Sequence, residues 1–235
     1  MAVVTPLATF LHIPKCGGSW VRQVLRAVGL PITITRGGVH ECAATEGRFV
    51  FTFVRHPLTW YPSFWAYRHA VAAAQGGPVD GHLRATAERL DEAIDECLVD
   101  DTGRPRSFAG FVEQCLRRHA GFLSAKYELY TPHAVFVGRQ ETLVEDLLTA
   151  LRLAGVACDP AVVRGTPRVN KRAPAFVAEY PLGMAARLLE AESAAVSKFY
   201  DGASAGEPSH WNFWRYVSRF IGAVCSRRNL ARIST

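Results

Sequence analysis

Residues 10–20 of this 235-residue chain read Phe-Leu-His-Ile-Pro-Lys-Cys-Gly-Gly-Ser-Trp. An apolar run ends in Pro14 and Lys15, then come two glycines and a hydroxyl, and helical spacing follows at Val21, Val24, Leu25 and Val28. That order predicts a strand, a tight turn and a helix N-terminus. Backbone N–H groups, a helix dipole and an ammonium then surround one point, which suits a phosphate. Gly17 and Gly18 would let the backbone approach the anion closely, and Lys15 would meet it as a point charge. The Walker A order places lysine after the glycines, whereas Lys15 precedes them here. The same residues also describe a plain glycine turn with an exposed lysine.

A second segment points to the same chemistry. Residues 48–54, Arg-Phe-Val-Phe-Thr-Phe-Val, form a continuous apolar run that predicts a buried central strand. The run ends at Arg55, His56 and Pro57, with Ser63 eight residues beyond Arg55. Ligands of α/β sheets sit beyond the carboxyl ends of strands, so Arg55 is at the end where an anion would bind. Its planar fork suits phosphate oxygens, and Ser63 would add a hydroxyl donor.

In order and content, the two motifs resemble those of sulfotransferases that use 3′-phosphoadenosine-5′-phosphosulfate (PAPS), especially the carbohydrate-type branch. The likeness is strongest over residues 8–65 and weaker over 134–200. It implies a P-loop-like fold without a metal, with Lys15, Cys16, Gly17, Gly18, Ser19 and Trp20 at the 5′-phosphosulfate. Arg55 and Ser63 would then hold the 3′-phosphate. Cys16 replaces the usual threonine, and Trp60 stands where many relatives carry a second arginine. Relatives also have an asparagine-containing loop that closes near the nucleotide. Here residues 168–172 fit that loop, so Lys171 and Arg172 are candidates to cover the 3′-phosphate, to recruit an anionic acceptor, or simply to be solvated.

The reaction implied is transfer of a sulfuryl group from PAPS to a hydroxyl or amine of a carbohydrate or small molecule. In-line transfer needs charge stabilisation, for which Lys15 is the candidate, and a base for the acceptor's proton. His40 leads, because an unperturbed imidazole suits base chemistry near neutral pH and relatives often place a histidine before the central strand. Glu41 is the alternative base, and His12 and His56 read as parts of the loop scaffold. Arg139 either faces the nucleotide or pairs with an acid nearby, and Glu141 reads as a complement to the dipole of its own helix. Two other classes stay open: a P-loop-like kinase and a non-catalytic sensor of phosphoadenosine nucleotides. Acceptor specificity would reside in residues 66–110 and 120–132.

These side chains need an α/β framework. Residues 3–13 read as the first strand with its lead-in, 31–35 as a second, 49–54 as the third and 134–137 as another. Helical patterns cover 63–75, 84–98, 107–119 and 141–154, and a long late helix carries Leu182, Ala185, Leu189, Val196 and Phe199. Pro62 is expected to interrupt any helix begun at Pro57. The alternation predicts a single domain over 1–235, a three-layer fold with a central, mainly parallel sheet flanked by helices. The net charge of +6 favours anionic ligands, and no basic module for nucleic acid stands out. The six cysteines fit no zinc pattern and read as reduced and structural. Without an apolar run long enough to span a bilayer, the expectation is a cytoplasmic enzyme. Residues 211–226 form a basic amphipathic stripe that either docks on the core or touches an anionic membrane surface peripherally.

Overall fold

The computed structural model describes residues 1–35, 47–75, 93–168 and 178–201. The strands are β1 (Ala2–Val4), β2 (Ala8–Leu11), β3 (Thr33–Thr35), β4 (Phe49–Val54) and β5 (Phe136–Arg139). The helices are α1 (Gly18–Ala27), α2 (Pro57–Gln75), α3 (Phe108–Arg118), α4 (Phe122–Tyr130), α5 (Leu143–Leu153), α6 (Pro160–Gly165), α7 (Met184–Ala191) and α8 (Ser193–Phe199). Residues 84–92 and 211–226, both read as helical, lie outside the described residues, and Glu96–Leu98 is a 3-10 turn.

The sheet order is β3-β1-β2-β4-β5. The β2–β4 and β4–β5 pairs are parallel, but β1 is antiparallel to both of its neighbours. The sheet is therefore mixed, which corrects the expectation of a mainly parallel one. The cause lies at residues 5–7. Thr5 N donates to Ala8 O at 2.8 Å and Ala8 N donates to Thr5 Oγ1 at 2.9 Å, closing a turn around Pro6. What reads as one strand is a hairpin, and Thr5 with Pro6 is the turn signal inside the apolar run.

β4 is buried from Val50 to Val54, as its two parallel neighbours require. Phe10, Phe51 and Phe53 cluster with ring centroids 5.3–5.9 Å apart. Burying each such ring is worth about 2–3 kcal/mol. Gly138 pairs with Phe53 across β5, and a Cβ there would come within 2.5 Å of that ring. This glycine makes room for an aromatic ring rather than a turn. β5 and α5 begin two residues later than the sequence suggests, with a 3-10 turn at Gln140–Thr142 between them. On α5, Leu143, Leu147 and Leu151 are all buried, as their spacing predicts.

Two helix expectations fail for reasons distant in sequence. α2 runs unbroken through Pro62. Proline at that position cannot donate to the carbonyl four residues back, that of Leu58. Tyr180 Oη donates to Leu58 O instead, at 3.1 Å. The long late helix is divided at Glu192 into α7 and α8. The Glu192 carboxylate is fully buried, and it accepts bonds from Leu123 N, Ser124 N, Ser124 Oγ and Tyr61 Oη at 2.7–3.0 Å. It thereby caps α4, whose own N-cap, Gly121, has no side chain to do so.

Tyr180→Phe should cost about 1 kcal/mol in urea unfolding by orphaning the Leu58 carbonyl. In a Pro62→Ala background, where residue 62 regains an N–H for that carbonyl, the same change should cost clearly less. Equal costs in both backgrounds would remove this explanation of the tolerated proline.

Candidate functional site

The parallel register pairs Leu11 with Thr52, so β2 and β4 end side by side. Thr52 Oγ1 fastens the pair by donating to Leu11 O at 2.7 Å. Beyond these ends lie the turn carrying Lys15 and the junction carrying Arg55. The two meet: Arg55 Nη1 donates to Lys15 O at 3.1 Å, and Arg55 Nε donates to Thr59 Oγ1 at 3.0 Å. Part of the guanidinium fork remains for a ligand. Trp60 Nε1 holds the preceding carbonyl, Pro14 O, at 3.0 Å. Trp60 thus fixes the turn.

The turn itself is strained. Lys15 has φ of 67°, the left-handed region, and it is the one non-glycine residue found there among those described. Gly17 follows with φ of 92° and is the N-cap of α1. Trp20 N and Val21 N turn back to Gly17 O, and α1 has no acidic residue in its first turn. The amides of Gly17, Gly18 and Ser19 have no acceptor among the described residues. This is the donor set that an anion at a helix N-terminus uses.

Gly18 is also required by packing, and Gly17 by its left-handed backbone, φ of 92°. A Cβ on Gly17 would meet the Leu143 side chain at 2.6 Å, and one on Gly18 would meet the His12 ring at 2.0 Å. His12 is pushed down to about 3 by burial, then by Arg22, the N-terminal amine, Lys126 and Lys15. His56 is pushed down to about 4 by burial, and its Nδ1 accepts from Leu58 N at 3.3 Å. Both rings are neutral at pH 7 and serve as scaffold.

Other expected contacts divide. The Cys16 thiol is buried, raised to about 12 by that burial, and lies 3.9 Å from Tyr127 Oη. Its side chain faces the core rather than the amides of the turn. Trp20 is buried as well, and its Nε1 donates to Thr166 O at 3.1 Å. Ser63 lies one turn beyond Thr59 on α2, half-buried, on the stripe that faces the turn. His40, Glu41, Lys171 and Arg172 lie outside the described residues. Lys15 is lowered to about 8, first by burial, then by Arg55 and Arg68, against an opposing effect of Cys16.

Two supporting residues, Tyr127 and Tyr67, escaped the sequence reading, and a third, Glu141, has a different partner from the one expected. Tyr127 Oη accepts from Arg55 N at 2.9 Å and donates to Arg55 O at 2.5 Å. Glu141 Oε1 accepts from His56 N at 2.9 Å and Thr59 Oγ1 at 3.3 Å, while its Oε2 accepts from Tyr200 Oη at 3.2 Å. Glu141 therefore complements the N-terminus of α2, not that of its own helix. Tyr67 is exposed, and the Lys15 ammonium sits 4.1 Å from its ring centroid. Only the i, i+4, i+8 spacing of Thr59, Ser63 and Tyr67 signalled a common face. Arg139 N donates to Asp146 Oδ2 at 2.6 Å, tying its backbone to α5.

Comparison of the chain with protein-family models, with curated proteins and with solved structures found no match.

Gly18→Ala should destabilise the protein by more than about 2 kcal/mol, because the added methyl meets the buried His12 ring. His12→Ala should restore much of that loss in the double variant, a coupling read from chemical unfolding. Strict additivity would show that the ring is not what excludes a side chain at position 18.

Proposed function

We propose that this chain is a PAPS-dependent sulfotransferase acting on a hydroxyl or amine of a carbohydrate or small-molecule acceptor. One observation carries the reading: Arg55 Nη1 donates to Lys15 O, so the two cations expected at opposite phosphates of the cofactor lie side by side beyond adjacent strand ends. The motif resemblance supplies the ligand's identity, and the adjacent parallel strands support it. A P-loop-like relationship of the fold belongs to the same proposal.

In this reading the 5′-phosphosulfate lies against the amides of Gly17, Gly18 and Ser19, with Lys15 on the leaving phosphate. Arg55 and Ser63 take the 3′-phosphate. The acceptor's oxygen or nitrogen attacks sulfur as the bond from sulfur to the phosphate oxygen breaks. 3′-Phosphoadenosine 5′-phosphate departs, and the acceptor's proton passes to a base, His40 or Glu41. Charge on the leaving phosphate grows through the transition state, so a fixed cation there accelerates the step.

Phosphoadenosine phosphate should raise the melting temperature more than ATP, GTP or adenosine 5′-phosphosulfate, since a ligand of the native state stabilises it by mass action. Arg55→Ala should erase the advantage over the compound lacking the 3′-phosphate. Screening acceptors by mass spectrometry for an added sulfate then tests transfer. Stabilisation by ATP alone would favour a kinase, and phosphoadenosine phosphate binding without transfer to any acceptor would favour a sensor.

A further inference from the structure

Lys15 is crowded by like charge. Arg55 faces it from the end of β4, Arg68 faces it from α2, and Cys16 adjoins it on the turn. Arg68 is paired with Asp95 in a close ion pair, and Arg55 gives its Nε to Thr59 and one Nη1 hydrogen to Lys15 O, with no carboxylate on either nitrogen among the described residues. No carboxylate pairs with the Lys15 ammonium among the described residues, and it makes no hydrogen bond there. What it does have is the face of Tyr67, 4.1 Å away. That ring is 44% exposed, so core packing does not account for it. It lies on α2 two turns beyond Thr59, about 12 Å along the axis, with Ser63 midway.

We propose that Tyr67 is a positioning residue, holding the Lys15 ammonium on its ring face without an ion pair, so that it stays available to an anion at the turn. The consequence for sulfate transfer rests on the function proposed above. An aromatic face attracts a cation through its quadrupole yet carries no charge and accepts no strong hydrogen bond. The ammonium can therefore leave the ring for a phosphate oxygen without breaking a salt bridge. A carboxylate in its place would repel the incoming phosphate. The ring favours the protonated amine, opposing burial and the two arginines, which hold Lys15 near pH 8. Its removal should lower that value further and leave more neutral amine in the site.

The full chain has four lysines, Lys15, Lys126, Lys171 and Lys198, so lysine labelled with ¹³C at Cε gives a countable NMR spectrum. Lys15→Arg assigns the signal. In the wild type and in Tyr67→Phe, the Lys15 Hε protons should show an upfield ring-current shift and a common titration midpoint. In Tyr67→Leu the ring-current shift should vanish and the midpoint should fall by about half a pH unit. Lys198, on α8, serves as the internal control. An unchanged Lys15 midpoint and chemical shift in Tyr67→Leu would overturn the proposal. Phosphoadenosine phosphate binding is measured on the same samples. A Lys15 response without binding upholds Tyr67 and removes the sulfotransferase reading; binding without a Lys15 response overturns Tyr67 and leaves the nucleotide site standing, with transfer decided by the acceptor screen.

Discussion

The parallel pairing of β2 with β4 is the constraint on which the site depends. With Leu11 opposite Thr52, the chain leaves both strands at the same end, toward Lys15 on one side and Arg55 on the other. A reversal of either strand would separate those residues by the length of the sheet. The pairing is held by the Phe10, Phe51 and Phe53 cluster and by the bond from Thr52 to Leu11 O. Apolar burial supplies most of that stability, and the register supplies the placement.

On this base the turn is fixed by polar ties. A left-handed lysine costs roughly 1–3 kcal/mol and persists only where its surroundings impose it. Trp60 holds the Pro14 carbonyl and Arg55 holds that of Lys15. The His12 ring excludes a side chain from Gly18, and the φ of 92° favours glycine at position 17. Behind Arg55, Tyr127 binds both its backbone N–H and its carbonyl, and Thr59 Oγ1 accepts from its guanidinium while sharing its own proton between His56 O at 3.0 Å and Glu141 Oε1 at 3.3 Å. The donors are already oriented, so an anion binding as proposed would leave little conformational freedom to be lost.

Local sequence carried much of this. The apolar run, two glycines and helical spacing identify β2, the turn and α1, and the run ending at Arg55 identifies β4. What stayed hidden depends on contacts that pattern does not encode. Tolerance of Pro62 requires a hydroxyl from Tyr180, and division of the late helix requires the capping role of Glu192 on α4. The hairpin at Thr5 and Pro6 was masked by unbroken hydrophobicity on both sides. Glu141 read as a helix-end residue, Trp60 as a departure from the resembling motif, and Tyr127 gave no signal; only tertiary packing brings them to the turn. For the same reason, the His12 ring's demand for glycine at position 18 was not legible in the sequence.

The central claim is that these two strand ends form one site for a doubly phosphorylated nucleotide. A crystal structure of the full chain with phosphoadenosine phosphate tests it most directly. The account predicts the 5′-phosphate against the amides of Gly17, Gly18 and Ser19 within reach of Lys15, and the 3′-phosphate on Arg55 and Ser63. A nucleotide bound with neither phosphate at the turn, or with Arg55 still turned wholly to Lys15 O and Thr59 and clear of the 3′-phosphate, would contradict it.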